Sequence, residues 1–100
     1  MKFSEFLAQD RRLVILKLLM EAQGVANESV MRTALLALGH GAGLTHDALR
    51  ADLDFLKESG CVRLEWFADK VAVAKITKRG VDAAEGRVTV DGVKPPSLGV

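Results

Sequence analysis

Apolar side chains recur at helical spacing from Phe3 to Ala22, and Gly24 follows as a stop signal. This pattern predicts a first helix. The second half of the helix, LVILKLLM, is apolar nearly all round, and a helix on the surface of a small monomer cannot bury such a segment on one side. We therefore expect this helix to meet a partner surface.

Two more helices are predicted before residue 60. Asn27 starts the second, because its side-chain oxygen can accept an amide hydrogen of the first turn, and the glycine-rich segment 39–43 ends it as a tight connection. Thr45 caps the third helix, which runs to Ser59, with Gly60 as its left-handed C-terminal residue. The leucines of its inner face are Leu49, Leu53 and Leu56.

The pattern changes to period two after the third helix. Residues 61–67 (CVRLEWF) alternate between two faces, which separates Trp66 from Phe67, and residues 71–76 form a second β-rich run. These runs predict a hairpin in which one aromatic ring packs on the helices. Residues 68–70 lack glycine, so a two-residue type I′ turn is disfavoured and a slightly longer loop is expected.

A last helix and a tail complete the chain. Thr77 caps a short helix that extends through Glu85, and Gly86 closes it. We therefore place one folded domain at residues 1–87 and an extended, proline-containing tail at residues 88–100.

Three helices, a hairpin and a helix follow the element order of the winged helix-turn-helix, so the expected class is mainly α with a β-hairpin wing. The segment LTHDALRADLDFLKESGCVRL resembles the recognition helix and first wing strand of MarR-, PadR- and ArsR-like regulators. ITKRGVDAA resembles the opening of the helix after their wing, in which leucine and threonine precede two residues and a glycine, with Ile76 here in place of leucine.

A resemblance over nearly the whole chain is to a family of small proteins encoded in Mu-like prophages. Five segments carry it in order: FLAQDRRLVILKLL, ANESVMRTALLALGH, LTHDALRADLDFLKESG, ITKRGVDAA and GVKPPS. That family is similar in fold to winged-helix regulators. The resemblance implies a phage protein, and it implies architecture more than activity.

Composition and charge further limit what kind of protein this chain can be. With 100 residues, 27% charged and 49% apolar, the chain is long enough for one small core. Cys61 is the only cysteine, so an intrachain disulfide is excluded and a reducing cytoplasm is expected. The apolar run 13–20 is too short to span a bilayer, so we expect no membrane contact. The 14 basic and 13 acidic residues give a formal net charge of only +1, so any contact with nucleic acid must come from a local basic patch.

The winged-helix class indicates double-stranded DNA as the partner of a small transcriptional regulator. Its third helix enters the major groove, and Arg50 is the leading candidate because a planar guanidinium can make two hydrogen bonds to guanine or phosphate. Lys70 at the wing tip is a candidate phosphate contact. The full candidate set is Thr45, His46, Arg50, Lys57, Lys70, Lys78 and Arg79.

The charge of the third helix favours a second interpretation. Residues 44–60 carry two basic side chains, and their four acidic side chains are Asp47, Asp52, Asp54 and Glu58. Uncompensated carboxylates near phosphates raise the energy of a complex. The alternative is therefore a protein-interaction module in phage packaging or assembly that does not bind DNA itself.

We also expect a homodimer. Its predicted interface on the first helix consists of Phe3, Phe6, Leu7, Leu13 and Leu16. Arg11 and Arg12 are expected on the solvent side of this helix or in ion pairs across the dimer.

Chemistry beyond binding is not predicted. Cys61, His40 and His46 lie on separate elements without the spacing of metal ligands. No phosphate-binding loop, nucleophile elbow or catalytic acid pair is recognisable, so we expect no enzyme, no metal and no cofactor.

Overall fold

The structure, a computed structural model, describes residues 2–96. In that range the chain forms a small α+β fold of four helices and a three-stranded antiparallel sheet. The elements in order are α1 (Phe3–Glu21), β1 (Val25–Asn27), α2 (Glu28–Ala37), α3 (His46–Glu58), β2 (Val62–Phe67), β3 (Val71–Ile76) and α4 (Lys78–Ala84). This architecture is consistent with a winged-helix-like fold.

The three predicted helix caps are present. In each, a side-chain oxygen accepts an amide hydrogen of the first turn that has no partner within the helix. The donor and acceptor pairs are Val30 N to Asn27 Oδ1 (2.8 Å), Ala48 N to Thr45 Oγ1 (2.9 Å) and Gly80 N to Thr77 Oγ1 (3.1 Å). The starts of α2, α3 and α4 were thus predictable from single residues.

The sheet has the strand order β1-β3-β2. The predicted hairpin is confirmed, with Val62 opposite Ile76 and Phe67 opposite Val71. β1 was not predicted, and it pairs with β3 from Val25 opposite Lys75 onwards. A strand of three residues is too short to show a period of two.

The hairpin loop has the expected length, but its central residues have the φ pattern of the type I′ turn that the lack of glycine was expected to disfavour. Ala68 and Asp69 adopt φ angles of 51° and 55°, and the Lys70 N–H donates to the Phe67 carbonyl at 3.0 Å. At least one of two consecutive positions with such left-handed φ angles is usually a glycine. Here an alanine and an aspartate adopt them, at some cost in backbone energy.

The position of α1 corrects the expectation that this helix meets a partner surface outside its own chain. α1 packs against α2, α3, α4 and the sheet, so its apolar run is buried inside its own chain. Leu13 and Leu16 are 5% and 0% exposed, and their assignment to a dimer interface was wrong because they belong to the monomer core. Phe3 and Phe6 are exposed and Leu7 is half-buried. The homodimer itself stays a prediction.

Arg11 and Arg12 are buried, which also corrects the sequence-based expectation. Each donates through Nε to a different carboxylate oxygen of Asp52, which is 1% exposed. Arg12 lies over the ring of Phe55, 3.9 Å from its centroid, and donates to the Gly92 carbonyl at 2.9 Å. The buried pairs join α1 to α3 and remove Asp52 from the surface charge of α3.

Residues 88–96 pack on the domain instead of extending from it. Val90 and Val93 lie in the core, and the Lys94 N–H donates to the Gln9 carbonyl at 3.1 Å. The boundary predicted after residue 87 therefore does not separate this segment from the domain, and residues 97–100 of the predicted tail lie outside the described residues. None of the helices found between residues 2 and 96 is long and apolar enough to cross a membrane.

Candidate nucleic-acid interface

An open groove lies where the beginnings of α2 and α3 meet the hairpin. Its volume is about 220 Å³. The lining residues are Glu28, Ser29, Arg32, His46, Leu49 and Val71. Predicted site residues of α3 and of the hairpin turn lie close to it: His46 lines the groove, and Lys70 directly precedes the lining residue Val71.

Arg50 joins three elements at this groove. Its Nε and Nη2 donate to the two carboxylate oxygens of Glu28 at 2.6 and 2.7 Å, which fastens α3 to the start of α2. Nη2 also donates to the Lys70 carbonyl at 2.8 Å, and the guanidinium lies 4.5 Å from the Trp66 ring centroid. The Arg50 side chain is 28% exposed, and its guanidinium is held by these protein groups instead of being free for an outside ligand.

Glu28 is the electrostatic partner of Arg50. It is 8% exposed, and its Oε1 also accepts the Ala72 N–H at 3.1 Å. The hydrogen bonds from Arg50 lower the pKa of Glu28 against the opposing effect of burial, and the same pair raises the pKa of Arg50. Glu28 is thus charged at neutral pH and cancels the charge of Arg50 towards an outside ligand.

Three more predicted residues lie near this pair. The Thr45 side chain caps α3, the exposed His46 begins α3 and lines the groove, and the exposed Lys70 occupies the hairpin turn. The structure therefore brings Thr45, His46, Arg50 and Lys70 to one end of the molecule.

The remaining predicted residues lie at the other end of α3. The Arg79 Nε donates to the carbonyl of Ser59, the C-cap of α3, at 2.8 Å, and Lys78 is next to it in the chain. Lys57 is in the last turn of α3. Since α3 has 13 residues at 1.5 Å per residue, about 20 Å separates these cations from His46.

Arg32 was missed by the sequence analysis. It is exposed on α2 and lines the groove one helical turn after Glu28. The helical spacing of residues 28 and 32 placed the two on one face, but only the fold shows that this face adjoins the start of α3.

The exposed face of α3 remains acidic. Asp47, Asp54 and Glu58 are exposed, whereas Arg50 is neutralised by Glu28. On the hairpin, Trp66 and Phe67 are 45% and 61% exposed, so neither ring is buried in the core, although Trp66 contacts the Arg50 guanidinium of α3.

The cysteine and the histidines do not form a metal site. Within the described range, no group of three or more His, Cys, Asp or Glu side chains is placed to hold a metal ion. Cys61 is fully buried at the start of the hairpin.

Two curated relatives define the family. The chain is 42% identical to gp26 of Escherichia phage Mu over 93 residues, which are 93% of this chain and 94% of that protein. It is 40% identical to a protein of Haemophilus influenzae (strain ATCC 51907 / DSM 11121 / KW20 / Rd) over 79 residues, which are 79% and 76% of the two chains. The chain belongs to the family of phage Mu gp26, the expected Mu-like family. Both relatives are uncharacterized proteins, and no family model and no solved structure matches the chain.

Proposed function

We propose that this chain is a winged helix-turn-helix protein of Mu-like phages and prophages that binds double-stranded DNA as a small transcriptional regulator. The observation that supports this proposal is the order α1-β1-α2-α3-β2-β3 with a hairpin directly after α3. In such modules the third helix enters the major groove and the hairpin contacts the backbone. A fold alone does not define a function, so the proposal depends on the surface at the start of α3.

The contacts we propose are Arg32, His46 and Lys70. All three are exposed; Arg32 and His46 line the groove from α2 and α3, and Lys70 lies in the hairpin turn beside the lining residue Val71. Arg32 and Lys70 contact phosphates, and His46 lies where the first turn of α3 meets base edges. Arg50 acts as a positioning residue, because its hydrogen bonds to Glu28 and Lys70 fix the hairpin relative to α3.

The test is a fluorescence-anisotropy titration of the full chain with labelled duplexes from the regulatory region of a Mu-like prophage. We expect binding at low salt and a loss of about tenfold in affinity in the double variant Arg32→Ala/Lys70→Ala, equivalent to about 1.4 kcal/mol. Lys78→Ala is the matched control, because it removes an exposed positive charge at the far end of α3. Absence of binding at low salt contradicts the proposal, and so does equal weakening by Lys78→Ala and the double variant.

A protein-interaction module of phage packaging or assembly is the second candidate. It is favoured by the acidic outer face of α3 and by the exposed Trp66 and Phe67, since aromatic side chains are enriched in protein interfaces. Affinity capture from phage-infected cells, with nuclease treatment, separates the two candidates. A stable phage protein that is retained by the wild type but lost with Phe67→Ala, together with absent DNA binding, supports the second candidate.

A further inference from the structure

A second cleft lies between α1 and the glycine-rich connection from α2 to α3. It has a volume of about 150 Å³ and is lined by Leu7, Asp10, Arg11, Gly39, His40 and Ala42. At about 30 Å³ per water molecule, this space holds a few waters or one small ion.

Arg11 is a buried cation with unused donors at this cleft. Its side chain is 7% exposed, and only Nε is engaged, with Asp52. Neither Nη1 nor Nη2 has a hydrogen-bond acceptor among residues 2–96. In this range, every side-chain nitrogen or oxygen that is fully buried has a hydrogen-bond partner. The two Nη groups are therefore accessible to solvent, and because Arg11 lines the cleft, they can donate to a ligand there.

The connecting loop adds further donors. The amide N–H groups of Gly41 and Ala42 have no acceptor within the described chain; both residues are exposed, and Ala42 lines the cleft. The His40 ring lies on the same wall, with its Nδ1 at 3.7 Å from Asp10 Oδ2. Lys94 Nζ lies 3.5 Å from the other oxygen of Asp10, so this carboxylate already has two basic neighbours.

We propose that this cleft binds a small oxyanion, a phosphate or carboxylate group, held by the Nη1 and Nη2 groups of Arg11 with the His40 ring and the Ala42 amide. A planar guanidinium offers two parallel N–H donors that match the oxygens of such a group. The ion joins α1 to the loop that leads into α3. Asp10 opposes it as the like charge at the rim of the cleft.

The test is an NMR titration of the ¹⁵N-labelled full chain with inorganic phosphate, and separately with acetate, at constant pH and ionic strength. We expect saturable shifts of the Arg11 Nε–H and of the Gly41 and Ala42 amides, with a dissociation constant of about 1 mM or lower for at least one anion. The two arms distinguish a phosphate site from a carboxylate site.

Charge variants make the test specific. Asp10→Asn removes the opposing charge and should tighten binding by about tenfold, whereas Asp54→Asn makes the same change on the exposed face of α3 and should leave binding unchanged. Arg11→Lys and His40→Ala should each weaken binding. If Arg11→Lys fails to fold, the Asp10 and His40 variants still decide. The proposal is overturned if neither anion gives saturable shifts at these groups, or if Asp10→Asn and His40→Ala leave the affinity unchanged.

Discussion

At the scale of single residues, Asp52 has the largest predicted effect on stability. Its carboxylate is the shared buried partner of Arg11 and Arg12. Asp52→Asn keeps the shape but leaves two guanidinium groups without their buried counter-charge, so we expect a loss of about 3–5 kcal/mol in the free energy of unfolding. Urea denaturation measures it. Asp54→Asn, at an exposed position of the same helix, should change stability by no more than about 0.5 kcal/mol.

The contrast between these two aspartates shows how much the sequence could predict. Asp52 lies between Leu49 and Leu56 on the inner stripe of α3, whereas Asp54 lies off it. Helical spacing is compatible with an inward position for Asp52, but Asp52 was counted with the acidic side chains of α3 that could face phosphates. Helical spacing could not show that the partners are Arg11 and Arg12, since those residues are about 40 positions away and meet Asp52 only through the packing of α1 on α3.

In the hairpin turn, a single substitution is expected to raise the stability of the protein. Ala68 has a φ angle of 51°, which costs an alanine about 1–2 kcal/mol and glycine almost nothing. Ala68→Gly should therefore raise the melting temperature, even after the greater entropy of glycine in the unfolded chain is subtracted. Ala51→Gly, on the exposed face of α3, is the control and should lower stability by about 1 kcal/mol. A lower melting temperature for Ala68→Gly contradicts the left-handed geometry.

At the scale of elements, the Glu28–Arg50 pair connects α2, α3 and the hairpin. The pKa of Glu28 is lowered in the folded protein, mainly by hydrogen bonds from Arg50, from an ordinary value of 4.5. The unfolded chain then binds the proton more readily, so the stabilisation is complete above about pH 4.5 and is lost as the pH falls through the lower folded value. Urea denaturation between neutral and acid pH should show Glu28→Gln to be less stable near pH 7 and less sensitive to acid. Glu58→Gln, at an exposed site, should retain the wild-type pH profile.

The docking of α4 explains a glycine of the ITKRGVDAA motif. A Cβ on Gly80 would lie 2.2 Å from the Cys61 carbonyl oxygen and 2.7 Å from the Ile76 side chain. Gly80→Ala should therefore destabilise the protein by about 1–3 kcal/mol in thermal or urea unfolding, although alanine favours a helix. At Gly41 the nearest atom to an added Cβ is the mobile end of Leu36, and Gly41→Ala should change little. Unchanged stability of Gly80→Ala would show that α4 does not pack this closely on the start of β2.

The elements differ in how well the sequence predicts them. Caps and periodicity were sufficient for the helices and for the hairpin, because each signal is local. The apolar run of α1 was compatible with two arrangements, a helix at the centre of one chain and a helix between two chains. Its contacts with the other helices and the sheet place it at the centre.

At the scale of the whole molecule, a formal charge of +1 gives no general attraction to DNA. Affinity must come from the local arrangement at the start of α3. Burial of Asp52 removes one negative charge from the exposed face of that helix, while the Glu28–Arg50 pair removes a positive one. Arg32 and Lys70, from α2 and the hairpin turn, then provide the cations of the proposed interface.

The salt dependence of DNA affinity tests this claim most directly. Each phosphate contact releases counterions and contributes about −0.9 to the slope of log affinity against log salt concentration. We predict a linear decrease in the wild type and a slope smaller in magnitude by about 2 in Arg32→Ala/Lys70→Ala, with Lys78→Ala unchanged. A flat response in the wild type, or a slope that the double variant leaves unaltered, contradicts the account.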